Sequence, residues 1–204
     1  SIHWMFDAWL RPLIDPPLRA TARLLAGAPL TANAVTILGA VIGAAAGVAI
    51  AMQRFGLALL LIVINRILDG LDGELARLRG LTDFGGYLDS ISDYVFYAAV
   101  PLGFAVAHPA WTLPAAVLLA SFLLSGSSFL AFAALAAKRG LATDAQGPKS
   151  FFYLRGLAEG TETIAVFILA VLRPDWFAWL AYGFAVLCVL TAAQRLLAAR
   201  RLLS

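Results

Sequence analysis

The chain is 204 residues long, 62% hydrophobic and only 13% charged, with a formal net charge of +3 and a mean hydropathy of +0.87. Soluble domains run nearer half apolar and a quarter charged, so this composition excludes an ordinary soluble domain and implies an integral membrane protein of one domain, 1–204, with no nucleic-acid partner. The single Cys188 excludes an internal disulfide framework.

The first 28 residues alternate bulky apolar groups (Trp4, Phe6, Trp9, Leu10, Leu13, Ile14) with Arg11, Arg19 and Arg23. Pro12, Pro16 and Pro17 interrupt them, so no apolar signal-peptide core follows a basic start. The chain opens on Ser1 rather than Met, as expected of a trimmed or processed chain. The pattern predicts an amphipathic helix lying in the membrane interface and kinked at its prolines. Residues 29–204 then predict six transmembrane helices, at about 33–53, 55–79, 85–108, 111–138, 158–173 and 175–198. Each is close to the roughly 20 residues that span hydrocarbon. Thr31 or Asn33 is placed to cap the first. The breakers Gln53-Arg54, Pro109, Gly147-Pro148 and Pro174 separate them. The fold class is therefore all-α and polytopic. Trp and Tyr residues near helix ends read as interfacial anchors, and His108 as incidental.

The bases set the orientation. With six spans, Arg11, Arg19, Arg23, Arg77, Arg79, Lys138, Arg139, Lys149, Arg155, Arg195, Arg200 and Arg201 fall on one side, and only Arg54 and Arg173 on the other. Cytoplasmic loops carry such an excess, which predicts that both termini face the cytoplasm, in a bacterial cytoplasmic membrane. Arg66, the remaining base, lies inside the second span.

Six of the twelve acidic residues (Asp69, Asp72, Glu74, Asp83, Asp89, Asp93) occupy the 25 positions 69–93. Asp69 and Asp72 are three apart and Asp89 and Asp93 four apart, so each pair shares a helix face. A short loop makes the two helices antiparallel neighbours, and four carboxylates then converge. An Asp at membrane depth costs about 2.5–3.5 kcal/mol, and like charges held close oppose one another's ionisation. Divalent cations resolve both problems. The ligands are all hard oxygen, suiting Mg²⁺, Mn²⁺ or Ca²⁺ rather than zinc. Two such ions are the arrangement used in phosphoryl chemistry. Salt bridges to Arg66, Arg77 or Arg79 are the competing explanation for part of the cluster. A divalent cation transporter or channel is the rival function, because intramembrane acids mark ion paths. The EF-hand spacing is absent. Gly70, Gly73 and Ala76 accompany the carboxylates on the second helix, allowing either close approach of a ligand or close helix packing.

These residues closely resemble the signature of the CDP-alcohol phosphatidyltransferases, Asp-x2-Asp-Gly-x2-Ala-Arg, then Gly-x3-Asp-x3-Asp. Asp69, Asp72, Gly73, Ala76, Arg77, Gly85, Asp89 and Asp93 match it. The departure is a gap of seven residues, Leu78 to Phe84, where the family usually has eight. Registering on Gly86 instead would put Ser90 at an Asp position. Thr31-Ala32-Asn33-Ala34-Val35-Thr36 stands where relatives often carry Thr-Pro-Asn-x-x-Thr.

The resemblance implies transfer from a CDP-linked lipid such as CDP-diacylglycerol to an acceptor alcohol with release of CMP, in phospholipid biosynthesis. It implies Mg²⁺ or Mn²⁺, two ions, held by Asp69, Asp72, Asp89 and Asp93, with Asp93 as general base. Asn33, Thr36, Asp69, Gly73, Ala76 and Arg77 would bind the cytidine diphosphate. Family members are usually homodimers. On the acceptor side, Lys138, Arg139, Lys149 and Arg155 are candidates to grip a phosphate, with flanking bases of a cytoplasmic loop as the alternative. Glu162 is a candidate for acceptor hydroxyls or an amine, and Glu159 for a pair with Arg155. The expected acceptor is glycerol 3-phosphate or another polyol phosphate, with inositol, serine or another small alcohol as alternatives.

Overall fold

A computed structural model describes residues 31–139 and 160–203, together with Thr21. The amphipathic segment 1–28 (Thr21 aside) and the basic loop carrying Lys149, Arg155 and Glu159 lie outside the described residues. Within them the chain is helical: α1 (Ala32–Ala51), α2 (Phe55–Arg79), α3 (Asp83–Ala107), α4 (Pro109–Lys138), α5 (Gly160–Leu172), a 3₁₀ turn (Pro174–Trp176) and α6 (Phe177–Leu203). These correspond closely to the six expected segments. Four stretches are long and apolar enough to cross a membrane: α1, α3, α4 and Pro174–Arg200. α2 falls short because its last four turns carry Arg66, three acids, Arg77 and Arg79, and described α5 has only 13 residues.

Chain contacts divide the protein into two compact units, residues 1–100 and 101–204, the division falling at Pro101 inside α3. In the first, Thr31 is the cap of α1, its Oγ1 accepting from the Ala34 N–H at 3.2 Å. Asn33 is the second residue of α1, inside its first turn, and is not the cap. At the other end of α1 the Gln53 N–H bonds the Ile50 carbonyl at 2.8 Å and the Arg54 N–H the Ala49 carbonyl at 2.8 Å. That Schellman closure uses Gln53 at φ 58° in the place usually taken by glycine.

The face that α1 buries includes Gly39, Gly43 and Gly47, four residues apart. A Cβ on Gly43 would lie 3.0 Å from Asn65 Nδ2 and 3.2 Å from Phe96 Cβ, so α2 and α3 both approach α1 there. A Cβ on Gly47 would collide with the Ala99 carbonyl, its carbon at 2.7 Å. Small residues at this spacing let helix backbones approach within a membrane, where dispersion and hydrogen bonds replace the hydrophobic driving force. Nearer the loop end, Val35, Leu71 and Leu75 form a buried cluster with Ala32 and Leu68 against it.

In the second unit α4 and α6 pack along each other. Phe104 and Phe177 stack with centroids 4.0 Å apart, and Trp111 meets both edge-on at 5.5 and 6.1 Å. His108 is not incidental: its Nδ1 accepts the Ala110 N–H at 3.2 Å and caps α4. Arg195, counted above among the bases of the cytoplasmic side, is buried, and its Nη1 donates to the Ser125 carbonyl at 3.1 Å and hydroxyl at 3.3 Å.

Gly47→Ala should therefore destabilise the protein by about 1–3 kcal/mol, the usual cost of overpacking, whereas Gly56→Ala, with nothing within 4 Å of the added carbon, should be silent. Thermal unfolding in detergent checks this. At about 2–4 °C per kcal/mol for a chain of this size, equal midpoints for the two variants would exclude the close α1–α3 contact.

Candidate metal and nucleotide site

Arg66, Asp69, Asp72, Gly73, Ala76 and Arg77 recur at three- and four-residue steps along α2, so they form one stripe. Gly85, Asp89, Asp93 and Phe96 do the same on α3. The turn joining the helices is short. Gly80 ends α2 with φ 102°, a conformation that side chains with a Cβ rarely adopt. Thr82 then caps α3, its Oγ1 accepting from the Gly85 N–H at 3.0 Å. A Cβ on Gly85 would sit 2.9 Å from that oxygen and 3.4 Å from Asn33 Oδ1. Gly85 thus occupies a close-packed position under α1, which supports its choice over Gly86.

The four aspartates face one another. Asp72 lies within electrostatic range of Asp69 and Asp93, and Asp89 within range of Asp69 and Asp72. Asp93 in turn senses Asp69 and Asp89. Asp72 is buried, Asp69 and Asp93 are half-buried, and Asp89 is exposed. From α1, Thr36 reaches the cluster beside Asp72, while its Oγ1 donates to the Ala32 carbonyl at 3.0 Å. The Ser92 hydroxyl bonds the Thr36 carbonyl at 3.4 Å and links α1 to α3.

As the side chains stand, no three acidic, His or Cys groups among the described residues close to ligand spacing. A guanidinium is seated among them instead. Arg66 Nη1 lies 3.2 Å from Asp93 Oδ1 and 3.6 Å from Asp69 Oδ2. Its Nε donates to Asn65 Oδ1 at 2.8 Å, and Cζ lies 4.5 Å above the Phe96 ring centroid. Asn65, buried, donates from Nδ2 to the Gly39 carbonyl at 2.8 Å. Salt bridging to Arg66, the competing sequence explanation, is therefore present. One guanidinium against four carboxylates still leaves an excess of negative charge in a partly desolvated place. All four donors are hard oxygens, and the chemistry of that set fits a divalent cation.

Along the same stripe, a Cβ on Gly73 would lie 3.5 Å from Arg77 Nη2, so the Arg77 guanidinium covers the glycine. Arg77 Nη2 is held 2.7 Å from Glu74 Oε1. Arg77 is exposed and Ala76 half-buried. The site therefore collects Asn33, Thr36, Asp69, Asp72, Gly73, Ala76, Arg77, Asp89 and Asp93 on α1–α3.

The acceptor candidates stand on the second unit. Lys138 and Arg139 are exposed at the end of α4, and Arg139 Nη1 donates to the Leu202 carbonyl at 3.5 Å. Glu162 is half-buried in the first turn of α5, where a carboxylate suits the helix dipole. Lys149 and Arg155 lie outside the described residues. Asn65 and Arg66 carry no role in the signature. Their signal was a base inside an apolar run, since a charge at membrane depth requires a partner.

The profile of the CDP-alcohol phosphatidyltransferase family matches residues 29–192. The chain is similar to the inner membrane protein YnjF of Escherichia coli K12, 48% identical over 192 residues, or 94% of this chain and 93% of that one. It is 33% identical over 120 residues to the archaetidylinositol phosphate synthase of Pyrococcus horikoshii, covering 58% and 64% of the two chains. The fold superposes with a TM-score of 0.72 and 24% identity on Mycobacterium tuberculosis phosphatidylinositol phosphate synthase PgsA1 in complex with manganese and citrate, over 89% of this chain and 88% of that one. The same enzyme with CDP-DAG bound gives 0.72 and 23% over 89% and 92%. A cation transporter or channel is not favoured by these findings. The chain belongs to the CDP-alcohol phosphatidyltransferases, a family of integral membrane, divalent-metal-dependent phosphotransferases.

Proposed function

We propose that this protein transfers the phosphatidyl group of CDP-diacylglycerol, or a similar CDP-linked lipid, to a phosphorylated polyol and releases CMP. The observation that carries the proposal is the meeting of Asp69, Asp72, Asp89 and Asp93 from two helices beside the α1 residues Asn33 and Thr36. Asp69, Asp72 and Asp89 would hold Mg²⁺ or Mn²⁺, two ions, with Asp93 as a further ligand. When bound, such ions neutralise pyrophosphate charge and stabilise the attacking and leaving oxygens. The manganese and the CDP-DAG of PgsA1 support this assignment.

The chain's own groups do the rest. Gly73 and Ala76 leave room for the cytidine diphosphate, with Asn33, Thr36 and Asp69 beside it. Arg77, already over Gly73, turns its donors to the phosphates. Arg66 engages Oδ1 of Asp93, so Oδ2 takes the acceptor's hydroxyl proton. The acceptor oxygen bonds to the phosphorus nearest the lipid. The bond from that phosphorus to the CMP oxygen breaks, and CMP leaves with its pair of electrons.

Two of the similar proteins are named as synthases of inositol phosphate lipids, which supports inositol phosphate ahead of glycerol 3-phosphate as acceptor. Lys138, Arg139, Lys149 and Arg155 are the candidates for its phosphate and Glu162 for a hydroxyl, on their residue types and places in the sequence. The enzyme works as one membrane domain and a homodimer. Six helices cross the membrane, and the termini and site face the cytoplasm. The distribution of arginines and lysines supports this orientation.

Purified protein given CDP-diacylglycerol and Mn²⁺ should release CMP with inositol phosphate or glycerol 3-phosphate, measured by mass spectrometry, and release less with free inositol or serine. EDTA should stop the reaction and added Mn²⁺ restore it. No CMP with any acceptor from folded protein would defeat the proposal. Asp93→Asn should slow turnover by about 100- to 10,000-fold, the usual contribution of a general base, while donor binding measured by calorimetry changes little. Turnover near the wild-type rate would remove Asp93 from that role.

A further inference from the structure

We infer that Arg66 is a fixed counter-ion and positioning residue of the site: it holds Asp93 toward itself and so keeps that carboxylate available as a base rather than drawn fully onto the bound cation. The inference rests on the site proposed above.

Arg66 is not seated as a side chain that swings in to replace an ion. Three helices restrain it. On α2, Asn65 Oδ1 accepts from Nε at 2.8 Å, and Asn65 is itself tied to the Gly39 carbonyl of α1 at 2.8 Å. On α3, the Phe96 ring lies under the guanidinium with Cζ at 4.5 Å. Gly43 is what lets Asn65 and Phe96 crowd α1 so closely, at 3.0 and 3.2 Å from its missing Cβ. The remaining face of the guanidinium meets the aspartates, with Nη1 at 3.2 Å from Asp93 and 3.6 Å from Asp69. A planar fork fixed through Nε presents Nη1 in one direction. A lysine ammonium has no such fork and cannot keep the Asn65 bond and the Asp93 bond in the same geometry.

Two consequences pull in opposite directions. A fixed positive charge beside two proposed ligands repels a divalent cation, so Arg66 weakens metal binding. The same guanidinium fixes Oδ1 of Asp93 and so orients Oδ2 toward the acceptor proton; this positioning outweighs the lower proton affinity that a neighbouring cation gives a carboxylate, so Arg66 speeds turnover. A residue that merely supported the fold would change both quantities in the same sense.

The test is Mn²⁺ binding by electron paramagnetic resonance, on wild type, Arg66→Met and Arg66→Lys in detergent, with turnover measured at saturating Mn²⁺ and donor. Arg66→Met should bind Mn²⁺ roughly 10-fold more tightly, as loss of a nearby charge at intermediate dielectric implies, and should turn over at least about 10-fold more slowly. Arg66→Lys should bind Mn²⁺ much as wild type does and still lose turnover. Folded Arg66→Met with equal or weaker Mn²⁺ binding would overturn the inference. If that variant does not fold, wild-type turnover in Arg66→Lys would overturn it. Wild-type protein that binds no Mn²⁺ would instead overturn the site assignment on which it rests.

Discussion

Nothing larger than hydrogen fits at Gly47, because the Ala99 carbonyl already occupies that space, and Gly43 is nearly as tight against Asn65 and Phe96. The first unit is organised around this closeness. Small residues on the buried face of α1 let Asn65 come close enough to bond the Gly39 carbonyl. Asn65 in that position presents Oδ1 to Arg66 Nε, and Arg66 so restrained lies against Asp69 and Asp93 together. The chain of contacts runs from an apolar packing constraint to the placement of charge. In hydrocarbon, where apolar contact with a helix is scarcely better than contact with lipid, backbone approach and buried hydrogen bonds supply the specificity.

The charge itself then makes sense. Four carboxylates at the end of α2 and the start of α3 cannot be neutralised by one guanidinium, and desolvation makes the excess expensive. A chain selected only to fold would replace them. An acidic excess kept in place, with hard oxygen donors from two helices and one restrained cation, supports the divalent-cation site proposed above.

Much of this was legible in the sequence. Apolar runs and breakers located all six helices within a few residues, and the spacing of Asp69, Asp72, Asp89 and Asp93 put the carboxylates on two facing stripes. What the sequence did not reveal is held by residues without a motif. Gly39, Gly43 and Gly47 look like ordinary small residues in an alanine-rich helix until α2 and α3 are set against them. Asn65 is one polar residue in an apolar run, with a partner 26 residues away. Arg195 counted as one more base outside the membrane, yet it is buried on Ser125, 70 residues away. His108 seemed idle because its role is local backbone capping. Long-range pairs of this kind have no periodicity, so pattern reading does not find them.

The seven-residue gap after Arg77 illustrates the difference between a motif and the geometry beneath it. Counted from Arg77, the chain is one residue short, and the facing stripes would be expected to lose phase by about 100° of helix rotation. They do not, because α3 takes its phase from its own beginning. Thr82 caps the helix onto Gly85, and Gly85 is pressed beneath Asn33. Asp89 and Asp93 follow at four-residue steps from that fixed point. Upstream, Gly80 at φ 102° ends α2 and turns the chain into the short connection. The constraint on the site runs from Thr82 to Asp93, not from Arg77 to Gly85.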